Sequence, residues 1–253
     1  MRVDGSVLSQ ETGLQAGGQL RAVDAALMVF VFAAGLYLDR NLELPVQAAG
    51  SVLVWAVMLR FLHRARGDLR IIILGCLAWS SLGEVFGSLI WGLYKYRLYN
   101  VPMFVPPGHV LMLLLALYVA ERLRGIVLVI APVVALVYVA YALHAGIDTL
   151  SIALAPAFVI TLIVARKRNV YAATFLLAIV LELYGTWLGN WRWEPTAPWL
   201  GVSSANPPVC IGAVYCLRDA LAGYTLGWVL RWRQRARGHR IPEQPARLSA
   251  RAA

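Results

Sequence analysis

A chain of 253 residues that is 60% hydrophobic and 14% charged is not an ordinary soluble domain, in which charged residues approach a quarter. Its net charge of +10 does not mark it for nucleic acid, because the cations gather at the ends of apolar runs, the placement that sets membrane topology. Cys76, Cys210 and Cys216 all fall inside apolar runs, which excludes a disulfide framework and a zinc spacing and leaves them as small packing residues.

Residues 1–20 are polar and lack the basic start, short apolar core and small-residue cleavage site of a signal peptide; they read as a disordered leader. Helices are then predicted near 22–38, 46–62, 71–92, 106–122, 126–143, 149–165, 170–188 and 208–231. Most of these runs approach the roughly 20 apolar residues that cross about 30 Å of hydrocarbon. The expected fold class is an all-α polytopic transmembrane helical bundle. With this count Arg60, Arg64, Arg66 and Arg70 fall on the same side as Arg122/Arg124, Arg166–Arg168 and Arg231–Arg237. That side is assigned to the cytoplasm together with both termini, and a bacterial inner membrane is the expected location. The opposite face carries 39–45, 93–105, 144–148 and 189–207, poorer in cations except for Lys95, Arg97 and Arg192. Residues 233–253 read as a basic tail near anionic lipid, without chemistry of its own.

Two segments are alike. Residues 80–109 carry Glu84-x-x-Gly87, the aromatics Trp91, Tyr94, Tyr96, Tyr99 and Phe104, then Asn100, Pro102 and Pro106–Pro107. Residues 181–209 carry Glu182-x-x-Gly185, Trp187, Asn190, Trp191, Trp193 and Trp199, then Asn206 and Pro207–Pro208. Each proline pair opens a new helix, where proline suits the first turn. Arg70 to Glu84 is 14 residues, and so is Arg168 to Glu182, which places each acid about 21 Å from its arginine. This predicts a parallel internal repeat of four plus four helices, 21–125 and 126–232, related by an axis along the membrane normal. Glu84 and Glu182 are then expected to face one another at matched depth across a shared hollow. The glycine one turn after each acid lets a neighbouring helix or a ligand come close, or simply packs a helix.

A carboxyl group inside a bilayer is costly and points to function, the alternative being hydrogen bonding between helices. Glu84 and Glu182 are the candidate proton donor and base, and Asp219 is an alternate acid. Arg218, near mid-membrane beside Asp219, is expected to reach Glu182 and set its ionisation, or to form a structural ion pair. Of the aromatics, Trp91, Tyr94, Tyr96, Trp187, Trp191 and Trp193 either form an interfacial belt or roof a pocket whose π faces suit a carbocation. His109 is a candidate relay or cap, and Asn100, Asn190 and Asn206 are candidate substrate contacts. The chain has no clustered histidine box, His-Glu-x-x-His, Gly-x-Ser-x-Gly or phosphate-binding glycine loop, which argues against metal, serine-hydrolase and nucleotide chemistry and for a reaction without metal or cofactor.

The pattern Glu84-x-x-Gly87 running into Tyr94-Lys-Tyr96 and Pro102 resembles the carotenoid biosynthesis protein family of membrane carotenoid hydratases, over about 25 residues. The Glu182 segment matches more loosely, with Trp191-Arg-Trp193 in place of Tyr-x-Tyr. The resemblance implies addition of water across a terminal isoprenoid double bond, without metal or nucleotide. The residues taken together lead to a membrane enzyme acting by hydration or cyclisation on a lipophilic isoprenoid or carotenoid-like substrate, with membrane lipids and that substrate, and no nucleic acid, as its expected partners. A transporter or lipid carrier with an intramembrane carboxylate site stays open as a second reading, and a non-catalytic pigment- or partner-binding subunit as a third.

Overall fold

Among the described residues, eight α-helices follow the eight apolar runs. The structure is a computed structural model and describes residues 20–238. The expected leader over 1–19 and the tail beyond residue 238 lie outside the described residues. In chain order the helices are α1 (Ala22–Asp39), α2 (Leu44–Arg64), α3 (Asp68–Glu84), α4 (Val105–Arg122), α5 (Arg124–Ala145), α6 (Thr149–Val164), α7 (Arg168–Leu188) and α8 (Gly212–Gly238, entered through a 3-10 turn at Val209–Ile211). Six of these spans are long and apolar enough to cross a membrane. The two others have plain reasons. α6 has only 16 residues. α4 has its apolar content diluted by a Pro-Pro-Gly-His start and a Glu-Arg end, and it is largely buried among other helices.

α3 packs on α4 and α8, and α7 packs on the same two helices, so these four form the centre of the bundle. α5 lies along α7, and α6 rests on α5, α7 and α8. α1 and α2 rest mainly on α4 and stand off from α3. Asp24 joins α1 to α2 at the arginine-rich end, 3.4 Å from Arg60 and 3.1 Å from Arg64. Stacked Phe158 and Phe175, with ring centres 3.8 Å apart, lock α6 on α7. The three cysteines are free and buried, as small packing residues would be.

The opposite end of the bundle departs from the all-helical pattern. α3 continues into a π-helical turn, Val85–Ile90, in which Trp91 N donates to Phe86 O at 2.7 Å. Strand β1 (Tyr94–Tyr96) follows, and its antiparallel partner is β2 (Trp191–Trp193), just beyond α7. The register sets Tyr94 opposite Trp193, Lys95 opposite Arg192, and Tyr96 opposite Trp191. Alternation along a strand turns Lys95 and Arg192 outward and sends the four aromatic side chains into the bundle. A small hairpin, β3 (Thr196–Ala197) with β4 (Val202–Ser203), completes the connection to α8.

Candidate functional site

The two buried glutamates are each served by three donors, arranged alike. Glu84 takes the Tyr94 and Tyr96 hydroxyls on Oε2, both at 2.7 Å, and His109 Nε2 on Oε1 at 2.6 Å. Glu182 takes the indole N–H groups of Trp191 and Trp193 on Oε2, at 2.8 and 3.0 Å, and the Tyr215 hydroxyl on Oε1 at 2.6 Å. In both cases the following strand supplies two donors to one oxygen, and the following helix supplies one donor to the other. The Tyr-x-Tyr and Trp-x-Trp spacing is what permits this. Residues i and i+2 of a strand share a face, so two aromatic side chains converge on one carboxyl group. Burial, then the Glu84 carboxylate beside them, pushes the Tyr94 and Tyr96 phenols well above their usual range, so both keep the proton they donate.

The glycine of each Glu-x-x-Gly is the seat for one of these rings. A Cβ on Gly185 would stand 1.9 Å from Trp191 Cη2, and one on Gly87 would stand 3.2 Å from the Tyr94 ring. The group that comes close is therefore the aromatic donor from the strand that follows. The sequence pointed instead to a neighbouring helix or a ligand.

Arg218 does not meet Glu182, contrary to the expectation from its position. Its Nη1 faces His109 Nδ1, while its Nε and Nη2 reach Asp219 Oδ1 at 2.9 and 2.5 Å. Asp219 also accepts from Thr174 on α7 at 2.8 Å. One helical turn separates Tyr215 from Arg218, and it is Tyr215 that takes the Glu182 position. A guanidinium only donates, so His109 Nδ1 accepts and its proton sits on Nε2, aimed at Glu84. The result is one chain, Thr174–Asp219–Arg218–His109–Glu84, in which His109 links Arg218 to Glu84.

Glu84 and Glu182 line a single cavity of about 710 Å³. It lies between α1 and α2 on one side and α3 and α8 on the other, where α1 stands off from α3. Tyr94, Tyr96, Trp91, Trp191 and Trp193 wall it together with His109, Arg218 and Tyr215. Most of the remaining wall is apolar. Phe30, Leu53 and Leu217 line it while exposed on the outer surface of α1, α2 and α8, so the cavity opens sideways between helices.

The other sequence candidates have different places. Trp187 is 76% exposed on the outer face of α7, stacked with Tyr184, and belongs to the belt of aromatics rather than the cavity. Trp91 lines the cavity and donates to Pro198 O at 2.5 Å. Asn190 donates to Leu36 O at 2.8 Å, and Asn206 accepts from Trp193 N at 2.9 Å; both brace the ribbon. Asn100 donates to Gln47 at 2.9 Å. Asp219 is buried behind Arg218 and does not line the cavity. Tyr215, Thr174, Asp39 and Gln47 went unnoticed in the sequence. The one-turn spacing of Tyr215 from Arg218 is a signal that was present, while Asp39 and Gln47 look like ordinary helix-end polar residues. Among the described residues, no three His, Cys, Asp or Glu side chains are placed to hold a metal ion.

No family model, curated protein or solved structure matches the chain.

Proposed function

We propose that the chain is an integral membrane enzyme, with both termini cytoplasmic, that performs acid/base chemistry on a double bond of a lipophilic isoprenoid or carotenoid-like substrate, by hydration or by cyclisation. The observation that carries this reading is the pair of fully hydrogen-bonded carboxyl groups in one largely apolar cavity that opens sideways between helices. In a hydration, one carboxylic acid gives its proton to an alkene carbon. The cation left on the neighbouring carbon is held by the carboxylates and by aromatic faces. Water adds there, and the second carboxylate takes the released proton. In a cyclisation, a second double bond of the same substrate attacks the cation, and the proton is lost to the base.

The hydrogen-bond roles restrict where a proton can sit. Indole N–H groups and the His109 Nε2–H only donate. A proton on Glu182 therefore sits on Oε1 against Tyr215, and one on Glu84 sits on Oε2 against Tyr94 or Tyr96. Tyrosine hydroxyls, which donate or accept, are the exchange points at both carboxyls.

Duplication of a four-helix unit accounts for the matched arrangement. Glu84 to Tyr94 is ten residues and Glu182 to Trp191 is nine, and a π turn absorbs one extra residue of this kind. In this view α5 keeps its packing on α7, while α1 has withdrawn from α3 and opened one cavity in place of two.

The test is Glu182→Gln and Glu84→Gln in purified membranes, with lipids bound to the wild-type protein identified by mass spectrometry as substrates. Loss of product, with insertion and melting temperature retained, is expected for both. Unchanged product yield in both variants would retract the enzyme assignment. A second reading, proton-coupled transport, is favoured by the two buried carboxyl groups, Glu84 and Glu182, that share the cavity with His109. Substrate-dependent proton uptake into vesicles without chemical change of the substrate distinguishes it.

A further inference from the structure

The same cavity has a second polar station at its ribbon end. Asp39, the last residue of α1, is 3% exposed, and Gln47 on α2 is 4% exposed. Both line the cavity, together with Gly35 and Gly50. Gln47 Nε2 donates to Asp39 Oδ1 at 2.8 Å, and Asn100 Nδ2 holds Gln47 Oε1 at 2.9 Å. Asp39 Oδ2 has no hydrogen-bond partner among the described residues. Arg97 lies beside it and donates through Nη2 to Asp39 O at 2.6 Å and to Leu42 O, but it does not line the cavity. A carboxyl oxygen that borders a largely apolar cavity without a protein donor is costly, and a bound group that donates to it removes the cost.

The rest of the cavity says which kind of group. Glu84, Glu182 and Asp39 are acidic, and the one guanidinium lining the cavity, that of Arg218, already faces Asp219 and His109. A phosphate end would meet carboxylates without a free cation. Beside Gly35 and Gly50 a Cβ would meet nothing within 4 Å among the described residues, which leaves an open lane for an apolar chain. Tyr96 reaches Glu84, and the next residue, Arg97, just beyond β1, holds the α1–α2 turn, so the two polar stations are served by neighbouring residues.

We propose that Asp39, oriented by Gln47, is a second subsite that accepts a hydrogen bond from the hydroxyl end of an amphiphilic lipid, whose apolar chain lies along the lane toward Glu84 and Glu182, and that the cavity rejects phosphorylated lipids. This deepens the reading of the cavity as a lipid-substrate site and rests on it.

The full chain in detergent is titrated with geranylgeraniol, its methyl ether and its diphosphate, with fluorescence of the cavity tryptophans as the readout. The alcohol binds saturably, the ether binds about tenfold more weakly, and the diphosphate does not saturate. Asp39→Leu brings the alcohol down to the affinity of the ether, and continued ether binding shows that its cavity is intact. Gln47→Leu, which frees Asp39 to turn away, reduces the same alcohol-to-ether ratio. Equal wild-type affinities for alcohol and ether, a diphosphate that binds as well as the alcohol, no saturable binding of any probe, or an undiminished ratio in Asp39→Leu each overturn the subsite. Product analysis of the same samples reads the chemistry separately. Absence of product with the affinity order intact retracts the proposed reaction and leaves the subsite standing.

Discussion

Tyr94 and Trp193 stand opposite each other across the β1–β2 ribbon with ring centres 4.7 Å apart, and they donate to different carboxyl groups. Tyr94 reaches Glu84 at 2.7 Å and Trp193 reaches Glu182 at 3.0 Å. The two acids are thus joined through these touching rings, and again through Tyr96 and Trp191, whose ring centres are 6.0 Å apart. Residues in contact within one network do not contribute independently. A double-mutant cycle with Tyr94→Phe and Trp193→Phe, followed by thermal unfolding in detergent, is expected to show a coupling of about 0.5–1.5 kcal/mol. Strict additivity would mean that the carboxyl sites are mechanically separate.

The glycine seats rank two otherwise similar substitutions. A methyl group at Gly185 overlaps the Trp191 indole, a rigid bicycle that is buried and hydrogen-bonded at its far edge. A methyl at Gly87 presses the Tyr94 ring by only a few tenths of an ångström. Gly185→Ala should therefore cost about 1–3 kcal/mol through overpacking and pull Trp191 off Glu182, with a visible change in near-ultraviolet circular dichroism. Gly87→Ala should stay closer to wild type. The reverse order would show that Trp191 has another place to go.

Arg218 and Asp219 give a charge test. Removing the guanidinium in Arg218→Leu leaves Asp219 buried with Thr174 as its remaining side-chain partner, and also strips His109 Nδ1 of its donor. Breaking a buried pair in this way costs about 3–5 kcal/mol, whereas replacing both partners with apolar residues is often near neutral. Melting temperatures should accordingly fall most in Arg218→Leu and recover substantially in the Arg218→Leu, Asp219→Leu double variant. A double variant as unstable as the single one would place the value of Arg218 in its contact with His109.

Helices were legible because a helix in lipid must satisfy its backbone internally and announce itself as an apolar run; the predicted 106–122 and the observed Val105–Arg122 differ by one residue at the start. Glu84 and Glu182 line one cavity, in keeping with equal spacings from their arginines that a fixed rise per residue converts into similar heights. Side-chain direction was not legible. Arg218 and Tyr215 lie one turn apart on α8, and which of them faces Glu182 depends on how α8 is rotated against α7, a tertiary fact. The ribbon escaped because three-residue strands carry no periodic signal, and Tyr-x-Tyr reads equally well as an interfacial belt. Asp39 escaped because a polar residue at a helix end is ordinary until the turn beyond it is seen to fold over it.

Cavity filling separates ligand binding from stability. Gly35 on α1 and Gly50 on α2 line the cavity, and a side chain at either place enters open space rather than a neighbour. Glycine inside a helix is also about 1 kcal/mol worse than a good helix former, so Gly35→Leu and Gly50→Leu relieve a backbone cost while they occupy volume. Each variant should insert normally and melt within a few degrees of wild type. Lipid that co-purifies with the wild-type protein should be lost, most completely in the Gly35→Leu, Gly50→Leu pair, as read by mass spectrometry of extracted lipids. Full retention of that lipid in the pair would place its binding on the outer surface of the bundle. The standoff of α1 from α3, which creates the cavity beside Glu84, would then have to be a packing defect with no occupant.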